Sequence, residues 1–575
     1  MDNIVFIILR RLRQPLLVLI AVFVISMLGL LAIPGQDAEG NPQHMSIFHA
    51  FYFVAYMSTT IGFGEVPHAF TDGQRLWVSF CIFASVISWL YAIGTTLSLM
   101  QNRPFLHALH VSRFTKRVKR QREPFYLICG YGETGSALLV ALSERCRNVV
   151  VVDLLAERTA LVHLHNLPHY IPALDADVRE PKNLIAAGLA HPHCAGVVAI
   201  TADSEVNLKV AITAKLLHPN VPVITRVESR DIEANMDSFG TDHSINPFDV
   251  FARHLSLALD SPCLNILQEW LVSGTDMDVA EPLYPPREGG HWIICSYGRF
   301  GRAIYERLKA EGIPVVVVEA HPDVVGEPPE GVILGRGTEA ETLLEAGIED
   351  AIGLVAGTND DANNLSMIMT ASQIKKGLFT VARQNRDSNS ELFEAAAPDM
   401  VMKPSAILAE RIRTLLTTPM LHEFLNFAEY QDDTWACELV SRISALIKNK
   451  APAIREFQIN ASEAVALTEA LQDGQTITVS DLMRDPWQRV YTLDCIPLMR
   501  TRGNDRALLP PDDLRLQVGD KLLFCGTHSA FTRMDWILGH THTLDYMLSG
   551  EDRPDGWVWR KLFGRPRWGR RDDHV

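Results

Sequence analysis

A chain of 575 residues is longer than one hydrophobic core supports at about 100 to 200 residues per domain, so three or four domains are expected. Its 47% hydrophobic and 21% charged residues exclude a disordered or fibrous protein. A net charge of -15 argues against nucleic acid as a partner, because phosphate binding needs a clustered basic face. That charge is unevenly placed: residues 1–124 hold eleven Lys+Arg against six Asp+Glu, making them +5 and the remainder -20. Nine cysteines, odd in number and without a Cys-x-x-Cys, point to neither a disulfide framework nor a zinc cluster and suit a reducing cytosol.

Residues 15–33 and 76–99 contain no charged side chain and approach or exceed the ~20 residues that cross a bilayer. The first is too long for the core of a cleaved signal peptide, and no small-x-small cleavage site follows it. Arg10, Arg11 and Arg13 precede the first span, and seven basic residues from Arg103 to Arg122 follow the second. Lys and Arg near a span stay on the cytoplasmic side, so both termini are expected in the cytoplasm, with the plasma membrane as location. Between the spans, residues 46–58 are apolar and aromatic but too short to cross, and Thr60-Ile61-Gly62-Phe63-Gly64-Glu65 follows closely. Irregular backbone at membrane depth survives only where it is buried in protein or lines water. Glycines there permit dihedrals that aim successive carbonyls to one side, where they can replace the hydration shell of K+.

Thr60-Ile61-Gly62-Phe63-Gly64 resembles the Thr-Val-Gly-Tyr-Gly filter of potassium channels, set in that family's two-span layout over roughly the first hundred residues. The resemblance implies ion sites lined by the carbonyls of Thr60, Ile61, Gly62 and Phe63 and the Thr60 hydroxyl. It also implies a homotetramer, because one chain supplies one of four loops. Phe63 lacks the phenol hydroxyl that would brace the filter from behind, and Glu65 replaces the more common Asp, so looser selectivity is expected. The family's hinge glycine falls at Ala84 on this alignment; Gly94 is the alternative bending point, or else a small residue for close helix packing.

Residues 104–123 read as a basic helical linker. Alternating strands and helices follow. Tyr126 to Cys129 runs into Gly130-x-Gly132-x-x-Gly135, and the buried-strand pattern 149–152 ends in Asp153, which makes a dinucleotide-type βαβ unit. The design returns at Trp292 to Gly301, with Val315 to Val318 ending in Glu319. Gly132/Gly298 and Asp153/Glu319 are each 166 apart; Thr201/Thr358, Asn207/Asn364, Arg226/Arg383 and Pro247/Pro404 are each 157 apart. This collinearity marks duplicated doubly wound α/β domains. They resemble the RCK (TrkA-N) regulatory modules of ligand-gated potassium channels, and residues 452–545 resemble the small carboxyl-terminal RCK subdomain.

The expected organisation is therefore a two-span helical pore domain (1–103), a linker (104–123), two Rossmann-like modules with crossover helices (124–270 and 291–430) joined by 271–290, an α+β subdomain (452–545), and a basic aromatic tail (546–575). By resemblance, the whole is a bacterial two-span, tandem-RCK channel.

A glycine-rich turn offers backbone N–H groups and a helix N-terminus to phosphate, and an acid ending the second strand accepts ribose hydroxyls. Asp153 and Glu319 thus favour NAD, ADP or AMP over NADP. The first loop carries all three glycines but also Glu133, beside the expected phosphates. The second has Ser296 for its first glycine but offers Arg299 and Arg302, so Gly298, Arg299, Phe300, Gly301, Arg302 and Glu319 are the favoured binding residues and Gly130, Gly132, Gly135 and Asp153 the second choice. Calcium is the competing effector: Asp203 and Glu228 read first as structural hydrogen-bonding groups and second as candidate ligands, because Arg226 lies where calcium-gated relatives place another acid. His163/His165 and His191/His193 read as surface residues, and the tail from Trp557 to Arg571 as a solvated end or a lipid or subunit contact. Rival readings are a membrane-anchored NAD-dependent oxidoreductase, which leaves the glycine segment after residue 58 without purpose, and a nonconducting regulatory subunit.

Overall fold

A computed structural model of the chain describes residues 2–550 except 38, 40, 102, 146, 165, 166, 168, 273–283, 326, 327, 448 and 449. Cys146, His165, most of the 271–290 linker and nearly all of the tail lie outside the described residues. The chain divides into two compact units, one of residues 1–123, 150–159 and 172–193 and one of 124–149, 160–171 and 194–575.

In the first unit, α1 (Asp2–Ala32), α2 (Ile47–Ser58) and α3 (Asp72–Met100) match the two spans and the short segment between them. The helices α1 and α3 pack along each other. Gly29 lies so close to the Trp77 ring that a Cβ would approach it to 2.1 Å, and Trp77 Nε1 donates to Ser26 O at 3.2 Å. Ser46 caps α2 by accepting the His49 N–H. Leu30, Phe53, Val54, Tyr56 and Phe70 form the local core. In the most apolar stretch of each span only 17% of residues are buried by the chain itself, so most of this apolar surface must meet lipid or other chains. The basic linker is a helix, α4 (Arg103–Val118).

The first module supplies β1 (Phe125–Cys129), β2 (Asn148–Asp153), β3 (Ala173–Asp175), β4 (Cys194–Ala199), β5 (Val223–Arg226) and β6 (His243–Ile245). In the first unit β2 pairs in parallel with β3, and α4 meets the end of β3, where Asp175 faces His110 Nδ1 at 3.1 Å and His107 Nδ1 at 3.4 Å. In the second unit β1, β4, β5 and β6 pair in parallel in that order. Helices α5 (Glu133–Glu144), α6 (Ser204–Leu217), α7 (Pro247–Asp260) and α8 (Pro262–Val272) complete the module.

The second module has β7 (His291–Cys295), β8 (Val315–Glu319), β9 (Ile333–Leu334), β10 (Ala351–Ala356), β11 (Phe379–Arg383) and β12 (Met400–Met402), all parallel in the order β9-β8-β7-β10-β11-β12. The order reverses between β7 and β10, the switch point at which open α/β sheets hold ligands. Its helices include α9 (Arg299–Ala310), α10 (Pro404–Thr417), α11 (Pro419–Ala428) and α12 (Asp433–Leu446).

The duplication is visible atom by atom. Asn207 is fully buried; its Oδ1 accepts from Thr201 N and Oγ1, and its Nδ2 donates to the carbonyls of Thr201 and Arg226. Asn364 repeats all four bonds with Thr358 and Arg383. The Thr…Asn motif therefore ties the loop after the fourth strand to the end of the fifth. The modules also exchange helices: Phe248, Phe251, Ala252 and Leu255 of α7 pack with Trp292, Ile294, Phe300 and Ile304 of the second module, while α10 packs on α5 of the first.

The subdomain is α+β as expected, with antiparallel strands β13 (Ala453–Gln458), β14 (Cys495–Arg502), β15 (Asp505–Leu508) and β16 (Lys521–Gly526) in the order β13-β16-β14-β15, and α13 (His528–Gly539) against them. One expectation fails: Cys263 of α8 and Cys437 of α12 form a disulfide. Their separation of 174 residues hid the pair, which the packing of the two helices brings together. The described cysteines other than this pair are buried thiols.

Candidate functional site

Helix α2 ends at Ser58, and the next residues alternate in hand: φ is +61° at Thr60, +68° at Gly62 and +104° at Gly64, while Ile61 and Phe63 are not in the left-handed region. Such alternation turns successive carbonyls toward the same side of the strand. Glycine adopts it without penalty, but Thr60 bears a cost of about 1–2 kcal/mol. The C-terminal end of α2, with its negative dipole end, lies beside this row and favours a cation. Phe63 indeed brings no hydroxyl, but Tyr56 OH donates to Gly64 O at 2.5 Å and its ring meets Phe63 edge-on. Glu65 takes the Phe70 N–H at 2.8 Å and a two-pronged bond from Arg75 at 2.8 and 3.1 Å. The brace missing at position 63 is thus supplied from the helix before the loop and from the span after it. Gly94 lies within an unbroken α3, and a Cβ there would meet nothing within 4 Å in this chain, so close packing inside the chain is not its role.

In the second module a cavity of about 530 Å³ opens at the switch point, bounded by the glycine loop, Glu319, the 335–338 turn and Arg383. Ser296 holds φ +87°, so the tight turn survives without its glycine at the strain expected of a non-glycine residue there. A Cβ on Gly301 would stand 1.9 Å from Ser296 O, which fixes glycine as the helix-approach residue. Glu319 is buried; its oxygens accept from Tyr297 N at 2.6 Å and His321 N at 3.0 Å, leaving further lone pairs toward the cavity. Arg299 lines the cavity, pairing with Glu228, which also takes Arg226. Two expected ligands are not in place. Phe300, at the second position of α9, turns into the core with Phe248 and Phe251. Arg302, three positions beyond Arg299 on α9, donates to Val325 O at 2.6 Å and covers Tyr297. Arg383 and Arg336 line the cavity, though nothing in the local sequence around them marks a site. Arg383 packs over Phe248; burial, outweighing Glu228, pushes its pKa down to about 10, and its buried Nε has no hydrogen-bond partner. Only its position as the repeat of Arg226 hinted at it. Arg226 and Arg299 thus pair with the buried Glu228 carboxylate while Arg383 lies within reach of its charge, three guanidinia around one acid, an arrangement suited to an anion.

The first loop is the electrostatic opposite. Gly130 holds φ +106° and a Cβ on Gly135 would come within 2.4 Å of Gly130 O, so the turn has the same shape. Glu133, however, opens α5 next to Gly132 and accepts the Asp387 N–H of the second module at 3.3 Å; burial pushes its pKa up, against the effect of that bond. Asp153 is buried and accepts the Leu155 N–H at 2.9 Å. The calcium candidates find other work: Glu228 is neutralised by two guanidinia, and exposed Asp203 caps α6 through the Glu205 N–H. Among the described residues, Cys263, Asp433 and Cys437 form the one group of three donors close enough for a metal, and its sulfurs are bonded to each other. His191 and His193 lie side by side with tilted rings near the surface, as expected, and His163 stacks on Tyr170.

A re-entrant helix and carbonyl row between two spans, followed by duplicated Rossmann-like modules, define a two-span channel-type membrane chain with tandem RCK modules. The family comparisons agree: residues 16–102 match the ion channel family, and 126–247 and 292–404 each match the TrkA-N domain. Among curated relatives, potassium channel protein 1 of Methanocaldococcus jannaschii is 28% identical over 141 residues, 24% of this chain and 42% of that protein. A TrkA homologue of the Trk potassium uptake system from Methanothermobacter thermautotrophicus is 31% identical over 139 residues, 23% and 63% of the two chains. A solved structure titled GsuK channel bound to NAD aligns with 93% of this chain and 99% of its own at 16% identity and a TM-score of 0.47. The chain spans less than half the length of the first two curated relatives it matches.

Proposed function

We propose that four copies of this chain form a potassium-selective channel in the plasma membrane, with both termini cytoplasmic, gated by a nucleotide such as NAD, ADP or AMP at the second module. The alternating φ at 60, 62 and 64 carries the channel half of this reading, because strain of the kind borne by Thr60 persists where function demands it. The exposed apolar spans accommodate neighbouring subunits and lipid, and the matched relatives are named as potassium channels and potassium uptake proteins. The regulatory half rests on the asymmetry of the two loops. Arg299, Arg383 and the α9 N-terminus suit phosphates, Glu319 suits ribose hydroxyls, and Glu133 leaves the first loop inhospitable to anions. A nucleotide shifts opening only by its different affinity for two arrangements of the modules.

Potassium flux into liposomes holding the purified chain, with and without ADP and NAD, tests both halves. Flux is expected in the wild type and lost in Gly62→Ala, whose φ of +68° opposes a side chain. The nucleotide response is expected to vanish in Glu319→Ala and Arg383→Ala while flux persists. Hydride transfer to a substrate, or silence under every nucleotide, would overturn the reading.

A further inference from the structure

A second cavity, of about 400 Å³, lies away from the glycine loop where the first module, the crossover helices and the subdomain meet. Its volume falls in the ~300–1,000 Å³ range of small-molecule sites. Three guanidinia reach its wall from three different elements. Arg145 caps the end of α5, Arg413 lies on α10, and Arg455 lies on β13. Thr414, Thr418 and Thr532 line it too, while Phe531, Leu421 and Leu271 give it an apolar side.

The positive charge of this wall is only partly compensated. Arg455 pairs with Asp535 at 2.6 Å, yet its buried Nε has no hydrogen-bond partner. Arg413 stands 3.6 Å from Glu410 and donates to Val272 O. Arg145 touches Thr417 Oγ1 at 3.3 Å, and among the described residues no carboxylate pairs with it. Burial first, and then the neighbouring Arg413 and Arg147, push its pKa down. A buried donor without an acceptor and guanidinia crowded together are both costly unless something negative joins them.

We propose that this junction binds a phosphate-bearing organic anion of mononucleotide size, with the phosphate held by Arg145, Arg413 and Arg455 and the organic part against Phe531 and Leu421. Such a ligand bridges the subdomain to the crossover helix α10 and to the first module. It acts at a place separate from the glycine loop, and so does not depend on nucleotide binding there.

Calorimetric titration of the full chain in detergent with AMP tests the proposal, with inorganic phosphate and adenosine as parallel probes. Two classes of AMP site per chain are expected. In the double variant Arg145→Gln/Arg413→Gln the junction class weakens at least tenfold, while Arg383→Ala leaves it intact. Adenosine, without phosphate, does not occupy the junction, and inorganic phosphate binds it more weakly than AMP. Asp535→Asn, which frees Arg455, is expected to tighten the same class several-fold, a gain that misfolding does not mimic. AMP isotherms unchanged by the double variant, no gain in Asp535→Asn, phosphate binding as tightly as AMP, or adenosine binding equal to AMP would each overturn the assignment, whereas loss of only the class sensitive to Arg383→Ala would count against the glycine-loop site instead.

Discussion

Replacing Glu228 by Gln probes the basic cluster from both directions. The Glu228 side chain is 6% exposed and answers Arg226 and Arg299, with Arg383 beside it. A nucleotide phosphate arriving at the glycine loop must draw Arg299 away from this carboxylate. Arg299 is 65% exposed, so its ion pair is worth about 1 kcal/mol or less. Glutamine keeps the shape and one acceptor but not the charge, so the competition disappears. ADP binding to Glu228→Gln is therefore expected to tighten by up to about fivefold. The ligand-free protein should lose about 3 kcal/mol, because the more buried Arg226 and Arg383 lose the carboxylate that answers them most strongly. Titration calorimetry and melting of the detergent-solubilised chain read the two effects together: a lower melting temperature without ADP and a larger rise with it. Weaker ADP binding in the variant, or an unchanged ligand-free melting temperature, would refute the idea that phosphate and Glu228 compete for the same guanidinium.

Arg383→Ala should act in the opposite sense, removing a charge-assisted contact of about 1.5–3 kcal/mol and weakening ADP by roughly ten- to a hundredfold; an unchanged affinity would remove Arg383 from the site. Tyr56→Phe deletes the bond to Gly64 O, worth about 1 kcal/mol, and is expected to lower the K+/Na+ permeability ratio without abolishing flux, measured from reversal potentials. Asp175→Asn cuts the tie from β3 to His107 and His110 of α4; ADP should bind as before while its effect on flux shrinks, and an undiminished response would exclude α4 as the transmitting element. His422 is held down to about 4, by burial first and then by Arg411. The unfolded chain, with a His pKa near 6.5, therefore takes the extra proton, and stability should fall as pH drops from about 6.5 to 4, by at most about 3 kcal/mol. His422→Gln should flatten that part of the melting profile, and an equal decline in both proteins would contradict it.

The features legible in the sequence were those with a local physical signature. Charge-free runs marked α1 and α3, a short aromatic run marked α2, and fixed offsets between glycines, acids and Thr…Asn pairs announced the duplicated modules. What stayed hidden depends on which surfaces meet. Arg383 and Arg336 reach the glycine loop only because β8, β10 and β11 stand where they do around the switch point. Arg302 looked equivalent to Arg299, but its side chain is taken up by Val325 O and the Tyr297 ring instead. Phe300 sat inside a binding fingerprint yet serves the core. The Cys263–Cys437 pair needed α8 and α12 side by side, and the brace from Tyr56 to Gly64 could not be read from residue 63 itself.

The exchange of α7 and α10 between the modules limits how this chain can be taken apart. A fragment ending at residue 272 would carry Phe248, Phe251 and Leu255 with nothing to cover them, while one starting at 291 would lose the lid over Trp292 and Phe300. Each half holds a piece of the other's interior. Gene duplication here produced not two beads on a string but one interlocked body, which must be expressed, unfolded and inherited whole.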